Sequence, residues 1–148
     1  MGRIRSVFMF SVLFVLGPGL SAQILPEDPE AAGAPESGFT LGQNYPNPFN
    51  PETRIPFELH EALFSDGGTV VVSMRIVNIF VQPVSNPTAL NHPSGQAPLV
   101  DLEYTSPGQY VAYWDGLDQY GREVASGAYF IQLIVNGSST VRRIFVAK

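Results

Sequence analysis

The chain contains no cysteine. That excludes a disulfide, a thiolate metal site, a cysteine nucleophile and lipid anchoring through a cysteine after a leader. Histidine is nearly absent too. His60 and His92 are the only two, and neither has a second ligand at a useful spacing, so a zinc site with three or four convergent ligands has no basis. No Gly-x-Ser-x-Gly elbow occurs, and a triad base would have to be one of those two imidazoles. A carboxylate pair for glycoside chemistry stays open on sequence, although a small domain offers little cleft for it. Charge is scarce: 14% of the residues are Asp, Glu, Lys or Arg, against about a quarter in ordinary domains. With a net charge of −5 and no basic stripe, nucleic acid is excluded as a partner. The chain reads as non-catalytic and without a cofactor. What it has in quantity is turn formers, 14 glycines and 13 prolines in 148 residues, the composition of short strands joined by many turns.

The N-terminal stretch reads as an export leader. Arg3 and Arg5 precede an apolar run from Val7 to Leu16, Gly17-Pro18-Gly19 breaks it, and Leu20-Ser21-Ala22 offers a small residue at a cleavage edge. The apolar run of about ten residues is short of the roughly twenty that a membrane-spanning helix needs. Residues 1–22 are therefore expected to be a signal peptide, leaving a mature chain from Gln23 with no stable transmembrane span. Residues 23–38 carry Pro26, Pro29 and Pro35 with Glu27, Asp28, Glu30 and Glu36. With so little apolar surface to bury, they are expected to form a disordered acidic tether.

Gln43–Pro51 follows, reading Gln-Asn-Tyr-Pro-Asn-Pro-Phe-Asn-Pro. Three prolines remove backbone donors and fix φ, so neither helix nor central strand is available. Residues before proline favour extended geometry, and the asparagines favour local turns. The segment is expected to be a rigid, extended arm, seated on the domain by Tyr45 and Phe49.

Beyond it, alternation marks strands. Arg54–Leu59 places Ile55, Phe57 and Leu59 on one face, with Pro56 pointing to an edge strand. Thr69–Phe80 is the longest candidate, losing phase at Asn78. Ser85–Pro98 reads as a long surface loop. Leu99–Tyr104, Gln109–Trp114, Ala128–Val135 and Thr140–Ala147 complete the set, the last two joined by the Asn136-Gly137 hairpin signal. Six or seven short antiparallel strands predict an all-β fold, a small sandwich. Trp114, Tyr113, Tyr129, Phe130 and Phe145 are its expected core aromatics. In Asp115–Gly121, Asp115 and Asp118 are candidate oxygen ligands for Ca²⁺. The ligand count falls well short of six to eight, and successive turns are the preferred reading.

Taken in order, several motifs point to one family. Leu41-Gly42-Gln43-Asn44-Tyr45-Pro46-Asn47-Pro48-Phe49-Asn50-Pro51 opens the domain. Trp114-Asp115-Gly116, with Asp118, Gly121 and Val124, comes late in it, and Ser126-Gly127-Ala128-Tyr129-Phe130 follows. Arg142-Arg143 precedes an apolar close at Lys148. This series resembles the type A C-terminal sorting domain of the type IX secretion system, itself similar to the immunoglobulin-like domain of the flagellar hook-capping protein. The resemblance covers residues 39–148. It implies an immunoglobulin-like sandwich of about seven strands on a protein exported through the periplasm to the cell surface or beyond. The implied partner is an outer-membrane translocon, and such domains are commonly cleaved there. By position, the residues implied in recognition are Asn44, Tyr45, Pro46, Asn47, Pro48, Phe49, Asn50 and Pro51, together with the terminal strand bearing Arg142, Arg143 and Lys148. Trp114, Asp115, Gly116, Gly121, Gly127 and Tyr129 are the implied motif positions. Two departures are local. Val81 stands where the family has glycine, which argues against a positive-φ turn there, and the loop at 85–98 is long. A third is that no cargo separates leader from domain. The alternative reading is a structural or binding module packed against a cell-envelope or filament partner.

Overall fold

Along β2 (Thr53–Leu59), β3 (Val70–Val77), β8 (Gly108–Trp114) and β9 (Gly127–Val135), every second residue is buried over most of the strand. A strand that turns alternate side chains inward needs a second sheet to cover them. The computed structural model describes residues 37–148, and in it two antiparallel sheets provide that cover. The shorter strands are β1 (Phe39–Leu41), β4 (Pro83–Ser85), β5 (Thr88–Ala89), β6 (Ala97–Pro98) and β7 (Leu102–Tyr104). The last strand is β10 (Ser138–Val146). One sheet runs β1-β2-β8-β5-β6, the other β10-β9-β3-β4, with β7 also pairing β3. The protein is an all-β antiparallel sandwich. No described helix is long and apolar enough to cross a membrane.

The expected signal peptide, residues 1–22, lies outside the described residues, as does most of the tether at 23–38. Its last two residues belong to the domain: the His60 amide donates to the Gly38 carbonyl at 2.8 Å, and Gly38 is buried.

The β9–β10 hairpin forms where Asn136-Gly137 places it. Val135 pairs with Ser138, and the two turn residues have φ of 48° and 84°. Both are left-handed, as a type I′ turn demands.

Several sequence expectations are corrected. Pro56 does not mark an edge strand: β2 lies between β1 and β8. Its carbonyl accepts from the Gly42 amide at 2.8 Å. Its missing donor falls opposite Gly42, one residue past the end of β1, where the β1–β2 ladder stops. Ser85–Pro98 is not simply a surface loop. It contributes β5, which pairs with β8 through Thr88 and Ala89, and β6, which closes the sheet edge. Runs of two residues carry no readable periodicity. Phe145 is not a core residue but 41% exposed, and Tyr113 and Phe130 are only partly covered. The aromatic core is Phe57, Tyr104 and Tyr110 at one end, with rings 4.5 to 6.0 Å apart. At the other end stand Phe49, Trp114 and Tyr129.

At Val81 the doubt about a positive-φ turn is overturned. Its φ is 61°, although it is β-branched and such residues strongly disfavour this region. Asn78 imposes the conformation: its Oδ1 accepts from the Phe80 and Gln82 amides, and its carbonyl accepts from the Val81 amide. The Val81 side chain is 74% exposed, so it contributes little packing in return. Val81→Gly is expected to raise stability by about 0.5–1 kcal/mol, the left-handed strain removed less the entropy glycine adds to the unfolded chain. Chemical denaturation of both proteins measures the difference.

Candidate functional site

The two segments implied in recognition, the 44–51 arm and the terminal strand, are brought side by side. They form one seam along the outer margin of the sandwich. Its construction starts with the arm folding back on itself rather than lying extended, contrary to expectation. Tyr45 and Arg54 exchange both backbone hydrogen bonds at 2.9 Å, closing a loop over residues 46–53. Asn44 ties the inside of that loop. Its Nδ2 donates to the Pro46 carbonyl at 3.1 Å and to Thr53 Oγ1 at 3.0 Å, and the Thr53 hydroxyl donates to the same carbonyl. The Gln43 amide donates to Asn44 Oδ1. Asn44 and Thr53 are the buried polar residues of the described chain, and every partner they need is supplied, as burial of polar groups requires. The peptide bonds before Pro46, Pro48 and Pro51 are cis.

Phe49 anchors the loop. It is 1% exposed, its ring lies 5.2 Å from that of Trp114, and Trp114 in turn meets Tyr129 edge-on at 5.9 Å. Tyr45, the other expected peg, is instead 49% exposed. Its backbone pairs while its side chain stays in solvent, because the strand alternation that turns Asn44 inward turns Tyr45 outward.

Trp114-Asp115-Gly116 is the seat for this anchor. Gly116 has φ of 76°, and a Cβ built on it would stand 2.2 Å from the Pro51 carbonyl oxygen. Only glycine permits that approach. The Trp114 indole donates to the Leu117 carbonyl at 2.9 Å, and Asp115 Oδ1 accepts from the Leu117 amide. Asp118 accepts from the Tyr120 and Arg122 amides and from the Arg122 guanidinium. Gly121, φ 76°, closes that turn, and Gly127, φ 146°, opens β9. Asp115 and Asp118, the candidate calcium ligands, thus direct oxygens at their own loop's amides. Among the described residues no three His, Asp or Glu gather as a metal site would require.

The Arg122 amide, first among several donors, holds the Asp118 carboxyl below its ordinary value of 3.8. A depressed carboxyl stabilises the fold above the ordinary value and loses that contribution as pH falls through its own lower value. The Tyr120 and Arg122 amide resonances are therefore expected to shift together, with a midpoint below 3.8. An NMR acid titration reads this directly.

The seam is closed from the other side by β10. The Phe49 amide donates to the Phe145 carbonyl at 3.1 Å, and the Ala147 amide to the Phe49 carbonyl at 3.0 Å. That makes a parallel bridge of Phe49 with Val146. Asn47 Oδ1 accepts from the Phe145 amide. Arg142 reaches across to β1, its Nε and Nη2 donating to the Leu41 carbonyl at 3.2 and 3.0 Å, and its Nη1 to Gln43 Oε1. Arg143 lies over the exposed Phe145 ring at 5.4 Å. Lys148 pairs with Glu123 at 3.1 Å. Of the residues implied in recognition, Asn44 and Phe49 are therefore internal fastenings. Tyr45, Pro46, Asn47, Pro48, Asn50, Pro51, Arg143 and Lys148 are exposed along the seam. Arg142 is half-buried in holding it.

No family model matches the chain, and no curated protein matches it. Among solved structures, it is similar to part of dimeric latent PorU from Porphyromonas gingivalis, at 18% identity and a TM-score of 0.47. It is also similar to part of PorZ from the same organism, described as a bacterial surface component of the type-IX secretion system, at 20% identity and 0.41. These alignments cover 74% and 80% of this chain but 9% and 13% of those chains. Part of the Pseudomonas fluorescens alkylpurine DNA glycosylase AlkC scores 0.47 at 12% identity, covering 75% of this chain and 31% of that one.

Proposed function

We propose that this domain is a non-catalytic export module of the type IX sorting kind, recognised as a folded unit on its way across the outer membrane to the cell surface. The observation that supports it most is the seam. The motif residues that define the resemblance fasten one another: Phe49 on Trp114, Pro51 against Gly116, Asn47 on the Phe145 amide, Arg142 on the Leu41 carbonyl. The seam joins the first and last segments of the domain, so a partner that reads it meets it only after folding is complete. Such a partner would be a translocon or another cell-envelope protein.

The two histidines favour a non-catalytic reading. His92 Nδ1 accepts from the Ser94 amide and its Nε2 donates to the Glu103 carbonyl at 2.7 Å. His60 Nε2 bonds the Thr40 hydroxyl. Each imidazole is employed in tying its segment to a strand, His60 to β1 and His92 to β7.

Fusing residues 37–148 to a periplasmic reporter, in a host that carries the secretion system, tests the proposal. Surface delivery that is lost on removing residues 142–148 is the expected result. A reporter that stays periplasmic with the intact domain would sink the reading. Stoichiometric co-purification of the untagged protein with an envelope complex would then favour the structural-module alternative.

A further inference from the structure

A sheet edge exposes a row of unpaired backbone donors and acceptors, and stable proteins blunt such edges with short strands, proline or cover. This sandwich does so at every edge but one. β1 and β7 have three residues each. β4 begins with Pro83 and β6 ends with Pro98. β10 is different: nine residues at the outside of its sheet, with no proline. The bonds of Phe145 and Ala147 to the arm show which of its residues face outward. Backbone direction alternates along a strand, so Ser139, Val141 and Arg143 face outward with them. The arm covers the edge only from Phe145 onward. The N–H and C=O groups of Ser139, Val141 and Arg143 meet no partner among the described residues.

We propose that this open stretch, about 13 Å long at the usual rise per residue, takes an extended strand from a partner protein, by strand addition to β10. The side chains beside it specify the occupant. Val141 is 55% exposed, Arg143 is exposed, and Phe145, at 41%, carries the Arg143 guanidinium on its ring. All three stand on the solvent face of the sheet, in the order apolar, cationic, apolar. Directly opposed residues on paired strands interact most strongly, so the matching strand presents an apolar residue opposite Val141 and an acidic one opposite Arg143, and ends where the arm covers Phe145. No acidic side chain of β10 answers the cation. A second copy fits poorly. Antiparallel self-pairing that leaves the three outward residues opposed centres on Val141, which brings the partner's Asn136-Gly137 turn to the level of Phe145. That place is filled by Asn47. The inference rests on the seam being a surface for partners and extends it along β10.

The test uses the full chain and a capped peptide that fits the open stretch antiparallel, Thr-Glu-Thr-Val-Thr-Thr, with a second peptide carrying lysine for glutamate. In the free protein the amides of Ser139, Val141 and Arg143 are expected to exchange quickly, while Thr140 and Ile144 are protected by β9. The acidic peptide is expected to slow the three open amides and to bind about two- to fivefold more tightly than the lysine peptide. Arg143→Glu is expected to reverse that preference. Val141→Pro removes an outward N–H without touching the β9 ladder, and is expected to weaken peptide binding about tenfold, with the unfolding midpoint confirming that it folds. Unchanged exchange at the three amides with saturating peptide would overturn the proposal. So would unchanged binding to folded Val141→Pro, or protection of these amides by concentration alone, the mark of self-association. Peptide protection without reporter export would leave the edge site standing and remove the secretion reading. Export by the Val141→Pro domain together with unprotected amides would do the opposite.

Discussion

Replacing Phe49 by alanine is expected to cost the domain about 3–5 kcal/mol, the usual range for deleting a fully buried aromatic side chain. The ring is 1% exposed and fills the space above Trp114. The arm has few other ways to stay down. Beyond Phe49 it is held by the Tyr45–Arg54 bonds, the buried Asn44 cluster, and the bonds of Phe49 and Asn47 to β10. Most side chains between Tyr45 and Glu52 are exposed. The loss should appear as a lower denaturation midpoint, together with faster exchange of the Ala147 amide, whose acceptor is the Phe49 carbonyl. Tyr45→Ala, which removes the same ring and a hydroxyl besides from the same loop, is expected to stay within about 0.5 kcal/mol, because that side chain is half in solvent. The contrast separates anchor from exposed surface within one motif.

Gly116→Ala is expected to be comparably severe although it adds one carbon. The substitution forces an alanine into a left-handed conformation at φ 76°, at about 1–2 kcal/mol. It also places Cβ 2.2 Å from the Pro51 carbonyl oxygen, which neither group can leave without shifting backbone, for about another 1–3 kcal/mol. The arm is the freer of the two and is expected to lift. Exchange protection should therefore fall first at Phe49 and Ala147, while the β9–β3 ladder keeps its protection. Equal loss across both sheets would mean that the Pro51 contact matters less than the local turn. Gly121→Ala is the control: its φ is also 76° but no atom lies within 4 Å of its built Cβ, so only the strain remains.

The sandwich was legible where apolar residues alternate along the chain, as in β2 and β3, and where a β-prone run adjoins a turn signal, as in β9 and β10. The Asn136-Gly137 turn was legible because its chemistry is local. β5 and β6 were not, since two-residue strands are defined by what β8 offers them rather than by their own pattern. Val81 misled for a related reason. Propensity forbids valine at positive φ, but three hydrogen bonds centred on Asn78 outweigh that preference. In the seam, sequence located both halves and the Trp-Asp-Gly motif, yet not how they fit. That Asn44 points inward and Tyr45 outward depends on the Tyr45–Arg54 pairing, between residues on opposite sides of a proline-rich loop. That Gly116 exists to admit Pro51 depends on a contact between residues 65 positions apart, since 116 less 51 is 65.

On the proposed function, a partner reads the exposed side of the arm–β10 seam. The most direct measurement is surface delivery of the reporter fusion carrying Tyr45→Ala, Asn50→Ala and Arg143→Glu together, side chains that are exposed and hold none of the fastenings. With an unfolding midpoint matching the parent domain, delivery of this variant is expected to fall at least about tenfold, the loss of roughly 1.4 kcal/mol of recognition. Delivery equal to that of the parent, by a variant equally folded, would contradict it.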